Sequence, residues 1–253
     1  MTPSISRLTT VGSLLLAAGL HTAAHALPIS ITNPGFEAAN LTLVGNGVFS
    51  QLVPGSGIFA QGGTLDGWTI AFSSTDSAGG GFAPAALPLN WTTTWWSGNN
   101  IAYLQASGNV QISLSQTVGT LASNSVYTLS ALTGNRAFPG DSNYAIQLLA
   151  GNAVVATGGN SVPADDTSGM DTVVYNSGPS NPLAGLALTI RLLAIGNPGS
   201  SNSVPTEAFF DDISLDAVAN PAPSSVPEPG SMALVMVGLL GAIRYRKRLG
   251  TAY

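Results

Sequence analysis

Leu186-Ala187-Leu188-Thr189-Ile190-Arg191-Leu192 decides the fold of this chain. Its large aliphatics fall on alternate positions, with Ala187, Thr189 and Arg191 between them. Successive side chains of a strand point to opposite faces, so this pattern predicts a strand with one apolar and one polar face. The same alternation recurs outward from it. Val110, Ile112 and Leu114 alternate with Gln111, Ser113 and Ser115, and Tyr127, Leu129, Ala131 and Tyr144, Ile146, Leu148 repeat the pattern. Clusters such as Thr133-Gly134-Asn135, Gly158-Gly159-Asn160 and Asn197-Pro198-Gly199 supply turns between them. No stretch between residues 27 and 218 has helical spacing. Many short amphipathic strands with turn punctuation predict an all-β protein, an antiparallel β-sandwich.

The two ends of the chain have a different character. Arg7 precedes the apolar stretch Val11 to Leu20, which ends in small residues and Ala24-His25-Ala26. A charged start, an apolar middle and an A-x-A site read as a signal peptide, a short helix over residues 1–26 removed after Ala26. At the other end, residues 219–225 form a Pro/Ser linker. Val226-Pro227-Glu228-Pro229 follows, then the uncharged run Met232 to Ile243, then Arg244, Arg246, Lys247 and Arg248. Proline marks a helix boundary, the apolar run predicts a short transmembrane helix, and the basic cluster marks its cytoplasmic side. Residues 226–253 thus form a tail, and residues 27–218 an exported domain.

This tail resembles the PEP-CTERM sorting tail of Gram-negative bacteria over Val226 to about Arg248. The resemblance implies an exosortase as partner and transient residence in the inner membrane. Delivery to the cell surface or to an exopolysaccharide matrix would follow.

The exported part holds only Arg136 and Arg191 against eleven acids, a formal charge of 2 − 11 = −9. Such a surface disfavours nucleic acid and suits divalent cations and neutral polymers. There is no cysteine, and both histidines lie in the signal peptide. Without His, Cys or Lys, the exported part cannot form Ser-His-Asp or Cys-His nucleophile systems, Schiff bases or imidazole-held zinc. Paired acids such as Asp165 and Asp166, or Asp211 and Asp212, would be left for a glycosidase or lyase. Neighbouring acids on a strand face opposite ways, which argues against an opposed pair. The expectation is therefore a protein that is not an enzyme.

Ile31-Thr32-Asn33-Pro34-Gly35-Phe36-Glu37 near the start, Leu65-Asp66-Gly67-Trp68, and the closing Phe209-Phe210-Asp211-Asp212-Ile213-Ser214-Leu215 resemble the galactose-binding-like jelly rolls of many carbohydrate-binding modules. The resemblance brackets residues 29 to 217 and implies a jelly roll whose chain ends lie side by side. By parity, Asp211 should share an inward face with Phe209, Ile213 and Leu215. An inward carboxylate without a nearby basic residue wants a hard cation, so Glu37, Asp211 and Asp212 are candidate ligands of a structural calcium ion. The other outcome is that Asp211 and Asp212 bond to backbone amides or face solvent at a strand end. Trp68 is expected in the core. Trp91, Trp95 and Trp96 lie in an irregular stretch between Phe72 and Asn100, where exposed indoles would stack on sugar rings of a matrix polysaccharide, or else cap the core.

Overall fold

The computed structural model describes residues 25–38, 43–44, 47–48, 63–73, 78–84, 94–135, 143–159, 164, 166–197, 206–220 and 236–240. Among the described residues fourteen strands run in order: β1 (Leu27–Pro28), β2 (Leu43–Val44), β3 (Gly47–Val48), β4 (Gly63–Leu65), β5 (Trp68–Phe72), β6 (Ala78–Pro84) and β7 (Asn100–Ala106). Then come β8 (Gln111–Thr120), β9 (Ser125–Asn135), β10 (Tyr144–Ala150), β11 (Ala153–Gly158), β12 (Thr167–Asn176), β13 (Ala187–Ile195) and β14 (Thr206–Ala219). The first sheet has the order β12-β9-β14-β7-β6, with β1 also paired to β14. The second has the order β11-β10-β13-β8-β5-β4, and β2 with β3 makes a small hairpin. All the pairings are antiparallel, and the whole is the expected jelly-roll sandwich.

Alternation builds the core directly. Ile112 and Leu114 of β8, Leu188, Ile190 and Leu192 of β13, and Ile146 and Leu148 of β10 face Leu129 and Ala131 of β9 and Ala208 and Phe210 of β14. Leu186 is the exception in the opening stretch: it precedes β13 and stands largely exposed.

The N-terminal segment closes the sandwich. Leu27 and Pro28 pair with Ala217 and Asp216, and Ile213 N–H donates to Pro34 O at 3.0 Å. Gln116 acts as a substitute strand: its Oε1 accepts from Thr32 N–H at 2.6 Å and its Nε2 donates to Thr32 O at 2.8 Å. Trp68 is fully buried, its indole N–H on Asn33 O at 3.2 Å and its ring 5.5 Å from that of Phe36. Adding a Cβ to Gly67 would bring it within 2.7 Å of Thr32, so the turn before Trp68 has no room for a side chain.

The parity expected for the last strand is wrong, and a bulge is the reason. Asp211 stands opposite Leu132 and Ser214 opposite Ser130, so Asp212 and Ile213 together face only Ala131. Asp212 takes up the extra residue at φ 47. Before the bulge, Ala208 and Phe210 point inward while Phe209 and Asp211 point outward; after it, Ile213 and Leu215 point inward. Asp211 is buried all the same, by a different cover.

The signal peptide expected over residues 1–26 lies outside the described residues apart from its last two positions. Residues 236–240 are helical, and among the described residues no helix is long and apolar enough to cross a membrane.

Because Trp68 joins the N-terminal segment to the core by both packing and a hydrogen bond, Trp68→Ala should cost about 3–5 kcal/mol in chemical denaturation. Trp68→Phe should recover most of the packing loss but not the contribution of the indole bond.

Candidate functional site

The cover over Asp211 is the segment Trp95–Asn100, which folds onto the outer face of the first sheet. Three carboxylates hold it there. Asp211 Oδ2 accepts from Ser97 N–H at 2.8 Å, and Asp212 Oδ1 from the Ser97 hydroxyl at 2.7 Å. Glu37 Oε1 accepts from the N–H groups of both Asn99 and Asn100 at 2.8 Å. Gly98, at φ 65, lies so close to Glu37 that an added Cβ would be 2.4 Å from Oε1.

Glu37, Asp211 and Asp212 thus hold one and the same segment. Their donor chemistry suits a hard cation, but several of their oxygens are turned to amides. Among the described residues no three acidic, His or Cys side chains are arranged to hold a metal ion. Burial, with the charges of Asp212 and Glu37 behind it, raises the Asp211 carboxyl from 3.8 to about 6; the amides of Ser97 and Asp212 oppose this.

Beneath the same cover lies a second, smaller apolar cluster. Ile101, Tyr103 and Phe209 are buried, with Trp95 and Trp96 half-buried upon them. The two indoles meet edge to face at 5.8 Å, and the rings of Tyr103 and Phe209 are 5.2 Å apart. Gly134 makes room for Trp95, since a Cβ there would sit 2.1 Å from the indole ring. Trp91 lies outside the described residues, as do Asp165 and all eight sorting-tail positions, Val226 to Pro229 and Arg244, Arg246, Lys247 and Arg248. Asp166 is half-buried at φ 59 in the turn before β12.

Sequence reasoning missed Glu207 and Tyr103. Glu207 of β14 is buried, and the Tyr103 hydroxyl lies 2.5 Å from Gln105 Oε1 and 3.2 Å from Glu207 Oε1. A phenol has one proton to give, so these oxygens share it. The signal available in the sequence was Glu207 two residues before Phe209, on the same face of one strand. A second buried polar group, Tyr144 of β10, ties the sheets together by donating to Asp171 of β12, next to Thr133. Burial raises the Tyr144 hydroxyl well above the ordinary phenol range.

The model of the HpiC1-like family, described as HpiC1 cyclase, matches residues 27–216, and this chain belongs to that family. The model of the PEP-CTERM protein-sorting motif matches residues 225–248. Among solved structures, the Stig cyclase Fisc from Fischerella sp. TAU, in complex with (3Z)-3-(1-methyl-2-pyrrolidinylidene)-3H-indole, is 23% identical. The match covers 76% of this chain and 98% of that one at a TM-score of 0.57. A cyclase from Fischerella sp. TAU in complex with 4-(1H-indol-3-yl)butan-2-one is 24% identical, with 78% and 100% covered and the same TM-score of 0.57. A carbohydrate-binding module of the β-sandwich superfamily is a more distant match, 12% identical at a TM-score of 0.42 over 60% of this chain and 58% of that one. No curated protein matches the sequence.

The expectation of a protein that is not an enzyme is overturned, because the family to which the chain belongs is one of cyclases. The elimination that led to it covered nucleophiles, Schiff bases and metal-binding imidazoles. It did not cover a carboxyl and a phenol brought together on an aromatic floor.

The raised Asp211 carboxyl fixes a pH dependence. A group that holds its proton more tightly in the folded state stabilises the fold at low pH, and that contribution is lost as pH rises from 3.8 through about 6. In chelator, the wild type should therefore lose stability across this window relative to Asp211→Asn. The difference between their denaturation free energies, measured point by point in pH, isolates the effect from other titrating groups.

Proposed function

We propose that this chain is an exported enzyme of the cyclase family, sorted by an exosortase, that works on a small, flat, apolar ligand at the covered outer face of the first sheet. The observation that carries the reading is the buried Tyr103–Glu207 contact, walled by Phe209 and roofed by Trp95 and Trp96. Ring closure on an electron-rich double bond needs a proton delivered to one carbon and taken back from another. A carboxyl beside a phenol can do both, and an apolar wall strengthens each transfer by excluding water. Trp95 and Trp96 would stack on the ligand's ring faces.

With 4-(1H-indol-3-yl)butan-2-one as probe, binding should quench tryptophan fluorescence, and Phe209→Ala should weaken it about tenfold, the effect of roughly 1.4 kcal/mol of lost contact. An unquenched signal at millimolar probe would count against this site.

The sorting motif at residues 225–248 supports handling by an exosortase during export. In this reading the mature protein reaches a surface or matrix that carries exopolysaccharide. Protein recovered from the native host should lack Arg244 to Tyr253 by intact mass, and replacing Val226 to Pro229 with alanines should leave a membrane-retained, uncleaved form.

A calcium ion at Glu37, Asp211 and Asp212 belongs to the same proposal. Burial first, and then the charges of Asp212 and Glu37, raises Asp211 to about 6, and a divalent cation would offset the cost of charging it. A ligand that binds only the folded state raises its stability by mass action, so chelator should lower the melting temperature above pH 6. Superimposable melting curves with calcium and with chelator would remove the ion from this account.

A further inference from the structure

The two sheets differ in charge. Among the described residues every acid carried on a strand lies in the first sheet, Asp171 on β12 and Glu207, Asp211, Asp212 and Asp216 on β14, while Asp66 sits in the turn between β4 and β5. The six strands of the second sheet carry no acid, and they carry Arg191, the one Lys or Arg among the described residues.

Arg191 stands in the middle of a row that crosses the second sheet at right angles to its strands. The register aligns Thr69 with Ser115, Ser115 with Arg191, Arg191 with Gln147, and Gln147 with Thr157. All five are on the outward face, opposite in parity to Ile70, Leu114, Ile190 and Ile146 of the core. The guanidinium Nε and Nη2 donate to Gln147 Oε1 at 2.8 and 2.5 Å, and Gln147 Nε2 reaches Thr157 Oγ1 at 3.4 Å. No carboxylate among the described residues accepts from Arg191, and Gln147 takes up two of the fork's five N–H groups. Neighbouring strands lie about 4.8 Å apart, so the row is roughly 19 Å long. The row beside it is apolar or small, running Ala71, Ser113, Leu193, Ala145.

We infer that this row binds an acidic polysaccharide, a polymer of uronic-acid type, laid across the strands of the second sheet. An extended glycan presents one ring every few ångströms, close to the strand spacing. Hydroxyl and amide side chains suit its hydroxyls, and the guanidinium fork suits a carboxylate. The domain's net charge does not forbid this. The strand-borne acids belong to the other sheet, about 10 Å away, a distance comparable to the Debye length at physiological salt. The inference rests on the proposed delivery to an exopolysaccharide-bearing surface and names the polymer class recognised there.

The test uses the mature protein from the native host with polygalacturonate, its fully methyl-esterified form and phosphatidylglycerol vesicles. Wild type should bind polygalacturonate, more weakly as salt rises, and bind the ester much less. Arg191→Gln should lower affinity about tenfold, the loss of one charge-assisted pair, while Arg191→Lys keeps part of it. Thr69→Glu adds a negative charge at an exposed position of the row and should weaken binding as much without lowering the melting temperature, which decides the matter if Arg191→Gln unfolds. Equal binding to polymer and ester, no loss in Thr69→Glu, or preference for vesicles would each overturn the inference. None of the three variants touches the tail. A failure of export with binding intact therefore counts against the sorting proposal alone, and the reverse against this one alone.

Discussion

The bulge at Asp212 in the last strand governs more of this molecule than its one extra residue suggests. It lets a strand that runs through the middle of the first sheet change which parity faces inward. Upstream, Phe209 and Asp211 are turned out; downstream, Ile213 and Leu215 are turned in. A strand without it would have to place either Phe210 or Ile213 on the outside. The outward half leaves an aromatic and a carboxylate that water alone would serve poorly, and the segment from Trp95 to Asn100 meets both needs. Its indoles cover Phe209, and its amides satisfy the acids. The N-terminal segment joins the same construction through Glu37 below and the Pro34 carbonyl on Ile213. Two segments far apart in sequence are thus fixed to one irregular point of one strand.

How much of this could be read in the sequence follows from the range of each interaction. Alternation is a local property, and it gave the strands around Leu114, Leu129, Ile146 and Ile190 and the sandwich they build. The meeting of Glu37 with Asp211 and Asp212 was legible because the chain ends of a jelly roll lie together. The direction of Asp211 was not, because counting by twos assumes an unbroken strand and nothing in Phe-Asp-Asp-Ile announces the bulge. Tyr103 and Glu207 went unnoticed for a related reason. Each is an ordinary residue of an alternating strand, and only the cross-strand register sets Gln105 against Glu207. Register is decided by pairings made a hundred residues apart, which no local pattern records.

The absence of His, Cys and Lys from residues 27–218 does not exclude catalysis. A domain without His, Cys or Lys has lost the usual nucleophiles and bases, but proton transfer needs only a carboxyl or phenol in a dry setting. Burial supplies that setting here: Glu207 and Tyr103 sit under the same roof that raises Asp211 to about 6. The composition of an exported, charge-poor chain thus limits which chemistries are open without excluding catalysis.

The two outer faces then divide the work that a charge-poor domain can do. On the first sheet the acids are drawn together and covered, so their mutual repulsion is held by amides and by the bulge. That arrangement is costly for a single purpose of stability, since apolar residues at Asp211 and Glu207 would bury more simply. On the second sheet, Leu149 and Leu193 on the outward side are nearly buried by their neighbours, and the polar row passes between them. Arg191 keeps a neutral partner there although acids outnumber bases eleven to two in the exported part. Among the described residues its pairing with an amide occupies two of the fork's five N–H groups, and no carboxylate neutralises its charge.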